Sequence, residues 1–371
     1  MAKKYLTDTV YEAAQKRIAY LFEEFDSVLV SFSGGKDSGV CLELCYDYAA
    51  AHGCKDRMAF YHLDYEAQYQ MTTDYVTETF SRLSDIESYW MCLPIGALCA
   101  CSTDGGLWIP WRKEDKDIWV RPMPDSDRLV TEDTAEFRFL PGRGEKKNMP
   151  IIAEWFSDTH GKTAVVAGIR ADESLNRYRA IMSDRVHKYE GKNFINLETT
   201  GKTVKAYPIY DWATSDVWTY YGHTGKPYNR LYDLYYQAGL TLDQMRVASP
   251  FNDWGIDSLR LYKVIDPNNW ARMVGRVQGA NFAAVCGGTS AMGTNAGKPA
   301  HMTWAEYLDF LILTLPAGAA EQFARKFGGK DIDPREACIT ILKNRGRISV
   351  DVSTAKAKAK HKRAQDMRDR L

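Results

Sequence analysis

Val28-Leu-Val-Ser-Phe-Ser-Gly-Gly-Lys-Asp-Ser-Gly-Val40 is the stretch on which the fold turns. The bulky apolar run from Val28 to Val30 reads as a short buried strand and stops at a small polar turn over Ser33 to Lys36. Asp37 to Tyr48 then reads as a helix, with Val40, Leu44 and Tyr48 on one face. Met58 to Leu63 is a second apolar strand and ends at Asp64. Strand, helix and strand within about forty residues point to a right-handed βαβ unit and a mostly parallel sheet flanked by helices, a Rossmann-like α/β fold.

A strand, a glycine turn and a helix together make an anion site. Gly34 and Gly35 let the backbone turn tightly and approach a ligand, and the first amides of the helix point at a negative group. Ser31, Ser33 and Ser38 offer hydroxyls, and Lys36 offers a point charge. The spacing is not that of a Walker A loop, because the lysine directly follows two adjacent glycines. Asp37 is either a helix cap or a carboxylate that orients Mg²⁺ on a pyrophosphate. Asp64 lies where a parallel sheet presents ligand groups and is read either as a cap or as a contact to nucleotide or metal. Glu66 and Gln68 share that rim, while Tyr65 and Tyr69 either close over an adenine or pack internally.

Further along, Lys162 to Ile169 is a clear buried strand, followed by Arg170-Ala-Asp-Glu-Ser-Leu-Asn-Arg177 at its carboxyl end. A guanidinium fork at Arg170 suits phosphate, sulfate or carboxylate, and Glu173 is placed to orient it. Ser174 reads as the cap of the next helix, with Arg177 one turn beyond. The other reading of these residues is a buried ion-pair network. Candidate helices cover residues 9 to 25, 68 to 83 and 151 to 156, with candidate strands at Tyr89 to Leu93 and Thr203 to Ile209. Residues 101 to 150 are rich in Pro, Gly, Asp and Arg and read as a loop-rich insertion, long enough to serve as a cover.

Composition sets bounds. The chain has 371 residues, 48 basic against 48 acidic, so overall charge singles out neither nucleic acid nor an acidic tail. No stretch has the apolar length of a membrane span or the h-region of a signal peptide. Eight cysteines in a chain of this length fit a reducing cytoplasm rather than a disulfide scaffold. Each of them, Cys92, Cys99, Cys101 and Cys286 included, reads first as a buried structural thiol, and no histidine set has zinc-like spacing. Arg272, Arg276 and Lys263, with Trp270 and Asn281, form either a packed edge or a basic-aromatic surface for a second substrate. The organisation expected is a nucleotide domain over 1 to 220, a mainly helical extension over 221 to 354 and a basic tail over 355 to 371. That tail is a solvated terminus or a nucleic-acid arm.

Ser33-Gly-Gly-Lys-Asp-Ser38 resembles the pyrophosphate loop of the adenine-nucleotide α-hydrolases, the ATP-pyrophosphatase group. Ala167-Gly-Ile-Arg-Ala-Asp-Glu-Ser-Leu-Asn-Arg177 and Tyr207-Pro-Ile-Tyr-Asp-Trp212 resemble blocks of the phosphoadenosine phosphosulfate (PAPS) reductases, which share that fold. Residues 170 to 179 and 226 to 232 further resemble a subfamily that includes immunoglobulin-binding regulator A-like proteins, associated with a ParB-like partner. The resemblance implies ATP or PAPS with Mg²⁺, held by Ser31, Ser33, Gly34, Gly35, Lys36, Asp37, Ser38, Asp64, Gly168, Arg170, Glu173, Ser174 and Arg177. Lys36, Asp37 and Arg170 would be catalytic, and Asp37 and Asp64 would face the metal. It implies a transferase that cleaves ATP between the α and β phosphates to adenylate an acceptor. The alternatives are a sulfonucleotide oxidoreductase, or a regulator acting with a ParB-like protein, as a monomer or a homo-oligomer. The chain departs from the reductases in lacking their Glu-Cys-Gly-x-His segment and their paired cysteines, so neither zinc nor an iron–sulfur cluster is expected.

Overall fold

The computed structural model describes residues 6–101, 107–182, 187–198, 201–242, 244–247, 249–252, 255–277, 279–286, 298–314 and 333–342. The basic tail over 355–371 and the Cys286 side chain lie outside the described residues. The chain forms two compact units, residues 1–99 with 107–287, and residues 100–106 with 288–371. In the second unit, helices Trp304–Thr314 and Pro334–Leu342 pack through Leu311, Cys338 and Ile341. Among the described residues no helix is long and apolar enough to cross a membrane.

The first unit is built on a mostly parallel sheet. Its strands are β1 (Ser27–Ser31), β2 (Met58–Leu63), β3 (Glu87–Cys92), β6 (Leu129–Thr131), β7 (Thr163–Ala167), β8 (Ile195–Leu197) and β9 (Thr203–Ala206), while β4 (Ala97–Leu98) and β5 (Leu107–Trp108) form a separate small ribbon. The order is β6-β3-β2-β1-β7-β9-β8, with only β8 antiparallel to its neighbour. The short pleat sorts the side chains. Val28 and Val30 of β1 join one core and Leu29 joins the other. The first core also takes residues of α1 (Val10–Glu24), α2 (Lys36–His52) and α3 (Gln70–Arg82). The second takes Ile152, Ala153 and Phe156 of α4 (Glu145–His160). Helices therefore cover both faces, as a parallel sheet requires.

Three elements differ from the sequence reading. Helix α4 begins at Glu145, inside the stretch read as loop, because Pro150, its sixth residue, interrupts the helical pattern in sequence. Strands β6 and β8 escape because three residues are too few to show a period. What matters for function is the order itself. Strands β2, β3 and β6 lie to one side of β1, and β7, β9 and β8 to the other. The switch point lies between β1 and β7, and open parallel sheets bind ligands in the crevice at the carboxyl ends there.

Candidate functional site

Both sequence blocks emerge at that crevice. Beyond Ser31, Gly34 adopts a left-handed φ of 75°, and the Thr72 and Val76 methyls would lie 3.0 and 3.1 Å from a Cβ placed there, so a side chain would strain the backbone and crowd both methyls. Gly35 caps α2 in extended backbone without a side-chain bond. The turn is fixed internally by serines. Ser38 Oγ donates to the Gly35 carbonyl (3.0 Å) and accepts from the Ser33 amide (3.1 Å), and the Ser33 and Ser38 hydroxyls lie 2.9 Å apart. From β7, Gly168 comes so close that a Cβ on it would sit 2.6 Å from the Asp37 carbonyl carbon and the Ser38 nitrogen. The two blocks are thus pressed together through a glycine.

The charges meet at Asp37. Arg170 Nε donates to its Oδ1 at 2.6 Å, and Lys36 Nζ to its Oδ2 at 3.0 Å. Arg170 is 2% exposed and Lys36 6%, yet Asp37 keeps a path to solvent at 17%. Two cations share one carboxylate, so the cluster carries one positive charge in excess beside the amino-terminal end of a seventeen-residue helix. That arrangement attracts an anion.

The other expected residues are placed differently. Glu173, read as the partner of Arg170, pairs instead with Arg246 (3.3 Å) and with Arg177 (3.7 Å). Ser174 acts as a cap, accepting from the Arg177 amide at 3.2 Å. Asp64 is fully buried. It accepts from Arg121 Nη2 (2.6 Å), Trp90 Nε1 (2.8 Å) and the Glu66 amide (2.8 Å). Burial alone would raise its pKa, but the Arg121 guanidinium and His62 hold it below the ordinary value. With both oxygens of Asp37 and of Asp64 already engaged, a Mg²⁺ ion would have to displace Lys36, Arg170 or Arg121. These carboxylates as they stand do not fit a metal seat. Tyr65 donates to Glu145, and Tyr69 stacks on Tyr262 with centroids 3.5 Å apart, so both rings are taken up in packing.

The segment over 221–232 is the part of the site that sequence reasoning missed. Tyr232 Oη accepts the Lys36 amide at 3.1 Å, and Tyr221 Oη donates to the Lys36 carbonyl at 2.7 Å. Asn229 Nδ2 donates to the Gly34 carbonyl at 3.0 Å. These three residues grip the glycine turn from outside the sheet. Lys226-Pro-Tyr-Asn-Arg-Leu-Tyr232 was legible as a motif, but its target in the turn nearly two hundred residues earlier was not.

Cys41, Cys45 and Cys92 take no part in the cluster. Cys41 and Cys45 lie on the core face of α2. Cys92 ends β3, about 10 Å or two strand spacings from β1. Burial, then the neighbouring Asp64, pushes the Cys92 thiol well above its ordinary pKa, which keeps it protonated.

Known proteins bear on this geometry. A Phosphoadenosine phosphosulfate reductase domain matches residues 150–238, and a Domain of unknown function (DUF3440) matches residues 239–332. The first match spans Gly168, Arg170 and the Asn229–Tyr232 grip, but not the glycine turn. Adenosine 5′-phosphosulfate reductase 2 of Bacillus subtilis is 32% identical over 78 residues, 21% of this chain and 28% of that protein. A phosphoadenylyl-sulfate reductase structure from Candida auris is similar at 15% identity with a TM-score of 0.34, covering 62% of this chain and 94% of that one. The Uncharacterized protein YbdN of Escherichia coli is 35% identical over 323 residues, 85% of this chain and 78% of that protein. The chain thus belongs to the family of Escherichia coli YbdN, and its sheet unit carries a PAPS-reductase-like domain of the adenine-nucleotide α-hydrolase superfamily.

Proposed function

We propose that the chain is an enzyme of sulfonucleotide chemistry, binding adenylyl sulfate or PAPS with its anionic group at the Lys36–Asp37–Arg170 cluster. The observation that carries this reading is the excess positive charge at the switch point, where Arg170 and the α2 amide end converge through the Gly168 contact. The similarity to a PAPS reductase domain and to adenylyl-sulfate reductases supplies the substrate class. In the displacement step, an incoming nucleophile would bond to the sulfur while the bond from sulfur to the bridging oxygen breaks. The electron pair then departs on the adenosine phosphate, whose growing charge Lys36 and Arg170 are positioned to stabilise.

The nucleophile is the point at which a second reading gains support. Cys92 is held as a neutral thiol by burial and by Asp64, which disfavours attack by this side chain. ATP cleavage between the α and β phosphates, with an acceptor oxygen as nucleophile, needs no protein thiol and would use the same cluster. Calorimetric titrations with PAPS, adenylyl sulfate and ATP separate the two. The sulfonucleotide reading expects PAPS or adenylyl sulfate to bind more tightly than ATP. Tight ATP binding without sulfonucleotide binding would transfer the assignment to adenylation, and absence of binding by all three would end both.

A further inference from the structure

A second cavity opens on the same edge of the sheet, away from the glycine turn. It measures about 600 Å³, within the range of small-molecule sites. Cys92 and Thr131, the last residues of β3 and β6, lie in its wall, so it sits over the strands on the far side of β2 from the switch point. Trp111 and Trp119 meet edge to face in it, with centroids 5.2 Å apart. Trp119 is half-buried, and its indole nitrogen donates to the Arg112 carbonyl at 3.0 Å, which fixes the ring. Arg121 lines the cavity with 6% of its surface exposed; its Nη2 is spent on Asp64, but its buried Nε has no partner. Lys116 and Arg272 reach the cavity from exposed positions. Three carboxylates also face it. Glu132 and Asp133 share the single charge of Lys113, and Asp117 lines the cavity together with Lys116 and Arg272.

We propose that this cavity is the site of the second substrate and that it takes a nucleotide unit, the base stacked on Trp119 and the phosphate drawn to Arg121, Lys116 and Arg272. The role as second substrate rests on the sulfonucleotide or adenylation reading above; the binding itself does not. A buried guanidinium nitrogen without a partner is costly and is the group a phosphate oxygen would satisfy. An indole face beside it accepts any base by stacking, whereas an apolar ligand would gain nothing from the cations. The basic-aromatic surface read from the sequence around Arg272 and Arg276 is thereby divided. Arg276 is buried in ion pairs with Glu66 (3.0 Å) and Asp115 (2.9 Å), and Arg272 is the residue available to a ligand.

Two probes test this with the full chain, thymidine monophosphate and a five-residue oligothymidylate, followed by tryptophan quenching and calorimetry. Saturable binding is expected in the parent and unchanged in Lys36→Ala. It should weaken about tenfold or more in Trp119→Ala and in Arg272→Glu, in line with a lost stacking or phosphate contact. Thermal melts should show both variants folded, since Arg272 is exposed and Trp119 half-buried. Tighter binding of the oligomer would identify a nucleotide within a single strand as the ligand, and equal or better binding of the monomer a free one. Lack of saturable binding by either probe overturns the proposal. So does an affinity that Trp119→Ala leaves unchanged and Lys36→Ala reduces, because the probe would then sit at the glycine turn and that site alone would stand.

Discussion

The Asp37→Ala protein is expected to lose about 3 kcal/mol of stability, far more than an ordinary loop substitution near a helix start. Arg170 is 2% exposed, and it donates to Asp37 Oδ1 at 2.6 Å and to the Trp212 carbonyl at 3.4 Å. Removing the carboxylate leaves a guanidinium buried with one long neutral contact. The loss lies at the low end of the range for broken buried pairs, because Asp37 is 17% exposed and water can follow it in. Asp37→Asn keeps an oxygen acceptor for Arg170 Nε and should lose much less. Denaturant midpoints for the two variants give the comparison. If Asp37→Ala were no less stable than Asp37→Asn, the carboxylate would not be the counter-charge that holds Arg170.

Glu66→Ala should be costlier still, about 3–5 kcal/mol. Glu66 is fully buried at a left-handed φ of 61°, a conformation that a non-glycine residue keeps only when its surroundings impose it. Its two oxygens accept from four donors. These are the Trp111 amide (2.8 Å), the Val120 amide (3.0 Å), and Arg276 Nε (3.0 Å) and Nη2 (3.4 Å). One carboxylate at the end of β2 therefore pins both the loop over 111–120 and the helix Pro267–Arg276 to the ligand edge. Alanine would orphan two buried amides and leave Arg276 only Asp115 as an anionic partner. Glu66→Gln keeps two polar atoms but loses the charge and should fall between. The same loop carries Trp111 and Trp119, so ligand binding in the second cavity should fall together with stability in Glu66→Ala. A parent-like melting temperature for Glu66→Ala would show that the loop is held by other contacts.

Much of this site could be seen in the sequence where local chemistry dictates it. Val28 to Val30, the two glycines and Lys36 at the helix start specify strand, turn and helix from neighbours alone. Arg170 at the end of a buried strand was legible for the same reason. What could not be read was pairing. The residue that satisfies Arg170 is Asp37, 133 positions earlier, and not Glu173 three residues on. The order of strands places β1 beside β7, and no periodicity within either strand reveals that neighbour. Tyr232 and Asn229 carry no local sign of binding the Gly34 and Lys36 backbone, since a tyrosine-rich helix start looks like ordinary packing. Glu66 read as a polar rim residue, because full burial of a glutamate follows only from the four donors that surround it.

The central claim is that the glycine turn and Arg170 form the seat for the nucleotide's anionic group. Its most direct test is a calorimetric titration of PAPS and adenylyl sulfate into the parent and the Lys36→Ala protein, with thermal melts of both. A charge-assisted contact to phosphate or sulfate is worth about 1.5–3 kcal/mol, so a folded Lys36→Ala protein should bind ten- to a hundredfold more weakly. Equal affinity in a folded Lys36→Ala protein would contradict the account and leave the turn as a strand-to-helix connection.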